Sequence, residues 1–167
     1  MCPSRYFRLL LPLMTIICLQ SFAQSGADQK KQDANARLKA MMDSKKFRFH
    51  ATSATSQRGK TVQLTSEYFL QLDGDSLSVD LPYYGRSYSS DYGSTDLSIQ
   101  FNTNQFTYAT DSAKKGGWNV SIIPKDQPRA SKIYLSITAS GYCTAQVTSN
   151  SRTPVSFYGN IIAYNTR

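Results

Sequence analysis

Residues 62–81 read VQLTSEYFLQLDGDSLSVDL. Val62, Leu64, Ser66, Tyr68, Leu70 and Leu72 fall on alternate positions, and Leu77, Val79 and Leu81 resume the alternation after Asp73-Gly74-Asp75. A period of two sends successive side chains to opposite faces of an extended chain. An Asp-Gly pair between two such runs is the strongest short-range signal for a β-hairpin. This stretch therefore points to an antiparallel β protein.

The same period extends outward. Upstream, Phe47, Phe49 and Ala51 alternate with Arg48, His50 and Thr52. Downstream come Leu97–Phe101, a turn at Asn102-Thr103-Asn104, then Phe106-Thr107-Tyr108. Lys114-Lys115-Gly116-Gly117 turns into Trp118–Ile122, and Ile133, Leu135 and Ile137 alternate in their turn. Ser140-Gly141 precedes a strand over Tyr142–Thr148, and Pro154–Tyr164 close the chain. About eight or nine short strands with turns roughly every 8–12 residues predict an antiparallel sandwich or barrel. Tight links between successive strands favour an up-and-down meander. No strand–helix alternation occurs, which excludes nucleotide-binding α/β folds.

The N-terminal third reads differently. Arg5 and Arg8 precede the apolar run LLLPLMTIICLQ (9–20), and Ser21-Phe22-Ala23 offers small residues for signal peptidase ahead of Gln24. That anatomy is an export signal. The run is shorter than the roughly 20 apolar residues a bilayer span needs, and Pro12 weakens it as a helix. A lipid anchor on Cys18 is disfavoured because Ile17, ahead of it, is not small. Residues 28–46, DQKKQDANARLKAMMDSKK, are the helical candidate, with Ala34, Leu38, Met41 and Met42 forming a narrow apolar stripe on a charged rod. The reading is a helix docked on the domain, with a partner-binding helix as the alternative. Mixed charge and the lack of Trp or Phe argue against a lipid surface. The organisation is a signal peptide over 1–23, a helical segment over 24–46 and a β-barrel domain over 47–167. The protein is expected to be periplasmic or secreted, with no transmembrane anchor.

The formal charge of +8 dissolves when it is located. Two positive charges lie in the signal; residues 24–46 hold six Lys/Arg against three Asp, and residues 47–167 hold eleven against eight Asp/Glu. No basic stripe emerges, so nucleic acid is not an expected partner. Without the signal the chain keeps one cysteine, Cys143, which cannot form an internal disulfide and reads as a buried, inert thiol. An ordinary apolar core must hold the fold.

Four segments, FHATSA (49–54), GDSLSVDLPYYGRSY (74–88), KKGGW (114–118) and SRTPVSFYG (151–159), resemble the domain of unknown function 4251 family of exported Gram-negative proteins. The resemblance spans most of residues 47–160. It implies a β-rich, lipocalin-like barrel behind a signal peptide, and it brings no assigned activity, substrate or catalytic residue.

The candidate site is LPYYGRSYSSDYG (81–93). Tyr83, Tyr84, Tyr88 and Tyr92 each combine a flat apolar face with a polar tip, and the Arg86 fork suits a carboxylate or phosphate. Pro82 holds Leu81 extended, while Gly85 and Gly93 free the backbone. One reading has the loop closing a barrel mouth, burying two rings and exposing two; the other makes it a contact surface. Phe157-Tyr158-Gly159, after Arg152 and Pro154, echoes the loop in wording, although topology gives no reason for the two to meet.

Other chemistry finds little support. Asp73, Asp75 and Asp80 lack the alternate-position ligands and closing acidic residue of a calcium loop. His50 is the sole histidine, so a His-based zinc site is unsupported. No Gly-x-Ser-x-Gly elbow occurs. No cofactor and no catalytic residue is expected. Asp111-Ser112-Ala113 matches an Asp-Ser/Thr-aliphatic O-glycosylation pattern in an expected hairpin loop, making Ser112 a modification candidate; Asn119-Val120-Ser121 is a sequon inside an expected strand. Two functions fit: a non-catalytic barrel holding a small, partly apolar ligand behind the 82–93 loop, or an envelope interaction or structural protein with a filled core.

Overall fold

In the computed structural model, which describes residues 21–84, 98–113 and 116–164, strands β2 (Thr61–Asp73) and β3 (Ser76–Leu81) form the hairpin that the alternation predicts. Its loop is Gly74-Asp75, with Asp73 opposite Ser76 and Gly74 at φ +61°. Two-residue turns that match the strand twist need a left-handed first residue, which glycine supplies without a Cβ penalty.

The sheet is completed by β1 (Lys46–Ser56), β4 (Ile99–Thr103), β5 (Phe106–Ala113), β6 (Gly117–Pro124), β7 (Lys132–Ile137), β8 (Tyr142–Thr148) and β9 (Val155–Ala163). The nine strands form one antiparallel sheet, order β4-β3-β2-β1-β9-β8-β7-β6-β5, curled into a half-barrel. Every neighbouring pair except β1–β9 is consecutive in the chain, so this is the expected meander, folded as two arms that join where the first strand meets the last.

The expected turn at Asn102-Thr103-Asn104 does not reverse the chain. Direction alternates along an antiparallel sheet, so β4 and β5, at its opposite edges, run in the same sense. Only Asn104 and Gln105 separate them. The two strands are thus one bent path whose first part pairs with β3 and whose second part pairs with β6. Asn-Thr-Asn has turn composition, and composition does not separate a bend from a reversal.

Buried Thr103 pins the bend: its hydroxyl donates to Asp126 Oδ1 (2.7 Å) and accepts the Gln105 N–H (2.9 Å). The β6–β7 connection runs alongside, with the Lys125 N–H donating to the Gln105 carbonyl (2.9 Å) and Arg129 donating to the Ser98 carbonyl (3.2 Å). The seam between the sheet edges is therefore laced by polar contacts from one loop.

Inward positions carry large apolar side chains with almost no exposure, among them Phe47, Phe49, Leu70, Leu72, Ile133 and Phe157. Within β1 the register slips between Ala51 and Ser53. This bulge moves the inward phase from Phe47, Phe49 and Ala51 to Ala54.

Helix α1 (Ser21–Ser44) adds Leu38 and Met42 to the same core, with Ala34 and Met41 half-buried beside them. Burial of each of these larger side chains contributes about 1.5–3 kcal/mol. The Tyr108 hydroxyl donates to the Met42 carbonyl (3.2 Å), and the helix ends in left-handed Lys45 (φ +52°), whose N–H donates to the same carbonyl (3.3 Å). The helix is docked as its stripe predicts, and starts earlier, taking in Ser21-Phe22-Ala23. Residues 1–20, with most of the expected export signal and Cys18, lie outside the described residues. No helix among the described residues is long and apolar enough to cross a membrane.

Candidate functional site

The links β1–β2, β3–β4, β6–β7 and β8–β9 emerge at one end of the half-barrel, by the alternation of strand direction. The sequence-predicted site starts there. Leu81, Pro82 and Tyr83 are buried, whereas Tyr84 is 41% exposed. The Tyr83 hydroxyl donates to the Thr153 carbonyl (3.2 Å) and lies 3.0 Å from Thr153 Oγ1. The Arg152 guanidinium covers its ring at 5.0 Å from the centroid. A cation over a ring face gains from the ring quadrupole, and a buried phenol needs such a partner for its tip.

The two similarly worded segments, LPYYG and SRTPVSFYG, therefore do meet, through Tyr83 on Arg152 and Thr153. What the strand order alone leaves open, the shared end of the sheet supplies. Tyr83 closes the fold and fixes the base of the 82–93 loop, while Tyr84 presents its face to solvent. Arg86, Tyr88 and Tyr92 lie outside the described residues.

The remaining candidates resolve individually. Ser112 is exposed, but it sits within β5 opposite Trp118 and not in the expected loop, because β5 pairs with β6 as far as Ala113. Asp73 and Asp75 face Lys46 (3.6 Å) and Lys45 (3.7 Å) across the hairpin end, as surface ion pairs. His50 pairs with Phe69 and Asn160 on neighbouring strands. Among the described residues no three His, Cys, Asp or Glu side chains gather to hold a metal ion. Cys143 is buried, and that burial pushes its thiol up to about 12, far from nucleophilic use at neutral pH. Burial likewise raises the Tyr108 phenol above its ordinary value.

One arrangement escapes a reading along the chain. Tyr142, 65% exposed, and Tyr158, 45% exposed, stand on the outer face of adjacent strands around a hollow of ≈ 300 Å³. Alternation in Tyr142-Thr144-Gln146 and Ser156-Tyr158-Asn160 marks these residues as outward-facing. Only the β8–β9 register, with Tyr142 opposite Asn160 and Thr144 opposite Tyr158, shows that they converge.

With this geometry established, known proteins can be compared. Residues 29–161 match the family described as Domain of unknown function (DUF4251). The chain belongs to this family. A crystal structure of a DUF4251 family protein from Bacteroides eggerthii has the same fold, with a TM-score of 0.57 at 16% identity, covering 78% of this chain and 87% of that one. No curated protein matches the chain. DUF4251 membership thus agrees with the curled sheet and adds no reaction, ligand or site residue.

Proposed function

We propose that the protein is an exported, non-catalytic binding module that holds an envelope protein through the rim of residues 82–93, with Tyr84 and Arg86 in the contact. The observation that carries this reading is the division of labour at Tyr83-Tyr84. A buried, hydrogen-bonded ring mounts the loop, and the next ring is displayed. Exposed tyrosine gives a large, amphipathic contact area at low entropic cost, which is why it is enriched at interfaces. The packed interior supports a partner held from outside over a small ligand held within. In an eight-stranded barrel the centre is either filled by side chains or leaves room for one small ligand; here Phe47, Phe49 and Phe157 occupy it with no exposure.

The test is site-specific photo-crosslinking in the native host, with a photoreactive residue at position 84 or 88 and controls at buried position 83 and at Glu67 on β2. A discrete protein adduct from 84 or 88, absent from the controls and lost in a Tyr84→Ala, Arg86→Ala, Tyr92→Ala variant carrying the crosslinker at 88, is the expected result. The same adducts from every position, or none from 84 and 88, would overturn the proposal.

A further inference from the structure

The outer face of β7, β8, β9 and β1 carries a second constellation. Register aligns Ser136 with Thr144, Thr144 with Tyr158, and Tyr142 with Asn160. The β1 bulge brings Thr52 against this row, where its hydroxyl donates to the Tyr158 carbonyl (3.0 Å). At the other end Thr138 donates to the Tyr142 carbonyl (3.1 Å). The hollow of ≈ 300 Å³ between the two rings is floored by Cys143 and Gly159. β1 lies tight against Gly159, since a Cβ there would overlap the His50 carbonyl oxygen.

The chemistry of the lining is specific. Among the described residues it holds two exposed phenol rings, hydroxyls and one primary amide, and no carboxylate, ammonium or guanidinium group. Thr52 spends its proton on a backbone carbonyl, so it offers lone pairs outward, whereas the Thr138 hydroxyl is engaged by the Tyr142 carbonyl and by the Ser140 hydroxyl (3.0 Å). Ser136, Thr144 and Asn160 are exposed or half-exposed and form no side-chain hydrogen bond with the described residues, which leaves donors and acceptors for a visitor. A phosphate or a nucleic acid would find no cation here. An aliphatic ligand would leave this ring of polar groups unpaired, at a cost for each one desolvated. A pyranose has what the lining asks for, with an apolar C–H face for a tyrosine ring and neutral hydroxyls at its edge.

We infer that this hollow is a binding site for neutral carbohydrate, with Tyr142 and Tyr158 as stacking platforms and Ser136, Thr144 and Asn160 as hydrogen-bonding partners. Ligand sites are mostly preformed, with a few placed polar groups that fix orientation, and the absence of a carboxylate pair from this lining makes it a binding site and not a hydrolytic one. The site does not depend on the rim: it shares no residue with residues 82–93.

The experiment is affinity electrophoresis of the full chain through native gels containing soluble β-glucan, α-glucan, mannan, galactan or xylan, at low and high salt. Retardation by at least one of these, unchanged between about 0.05 and 0.5 M salt because no charge is involved, is the expected result. Tyr142→Ala and Tyr158→Ala should each weaken it tenfold or more, Tyr142→Phe should keep it within threefold, and Tyr84→Ala should leave it unchanged. An unaltered thermal midpoint of Tyr142→Ala shows that the loss is not unfolding. No retardation by any of the five, retardation that survives both alanine variants, or retardation abolished by salt would each overturn the assignment. Loss on Tyr84→Ala alone would also overturn it, moving the sugar contact to the rim.

Discussion

Replacement of Gly159 by alanine probes the joint on which the two-armed sheet depends. Gly159 lies in β9 between Ala51 of β1 and Cys143 of β8, beside the β1 bulge. A Cβ built there overlaps the His50 carbonyl oxygen and stands 2.9 Å from its carbon and 3.1 Å from the Ala51 Cα. All three are backbone atoms in the sheet, so relief requires the strands to part. Overpacking of this kind costs about 1–3 kcal/mol, and loss of a neighbouring ladder hydrogen bond adds about 0.5–1.5 kcal/mol. The expected destabilisation is about 2–4 kcal/mol.

Gly74→Ala is the matched control, because its Cβ meets nothing within 4 Å and only the positive φ is penalised. A left-handed alanine costs about 1–2 kcal/mol. Urea unfolding followed by the fluorescence of Trp118, half-buried in β6, reads both variants. With a slope of about 2 kcal/mol per molar, Gly159→Ala should lower the midpoint by about 1–2 M and Gly74→Ala by about 0.5–1 M. A Gly159→Ala variant no less stable than Gly74→Ala would refute the close β1–β9 approach.

Three further outcomes follow from named contacts. Tyr83→Phe should cost about 0.5–1.5 kcal/mol in urea unfolding through loss of the Thr153 bonds, whereas exposed Tyr84→Ala should stay within about 0.5 kcal/mol. Thr103→Val should cost about 0.5–1.5 kcal/mol by removing the hydroxyl that links Asp126 and the Gln105 N–H at the bend, and should quicken hydrogen exchange at Lys125. Cys143 holds its proton to about pH 12 in the folded chain, while the unfolded thiol, with an ordinary value of 9.0, releases it earlier. Its contribution to stability is therefore intact below about pH 9 and lost as pH rises toward 12, a fall of about 2–3 kcal/mol by pH 11 that Cys143→Ala should remove.

How far the sequence predicted the fold depended on whether the signal was local. The Asp73-Gly74-Asp75 hairpin and the alternation in β1, β7, β8 and β9 were legible because period and turn chemistry reside in adjacent residues. The β4–β5 bend was not, since its residues would suit a reversal equally well and the outcome depends on which strand each half pairs with. The Tyr83–Thr153 contact joins residues 70 positions apart, and only the gathering of four connections at one end explains it. Tyr142 and Tyr158 could be read as outward-facing but not as neighbours, because register is fixed across strands and not along one. Ser112 sits at the end of β5 and not in a loop because its turn signal, Lys114–Gly117, begins only two residues later.

The central claim of the proposed function is that the half-barrel is filled by its own side chains and works from its surface. Native mass spectrometry of the protein purified from its native host tests it most directly. The account predicts that no apolar molecule is retained on the polypeptide. A stoichiometric apolar adduct, released only on collisional activation, would contradict it and place a ligand where Phe47, Phe49 and Phe157 now pack.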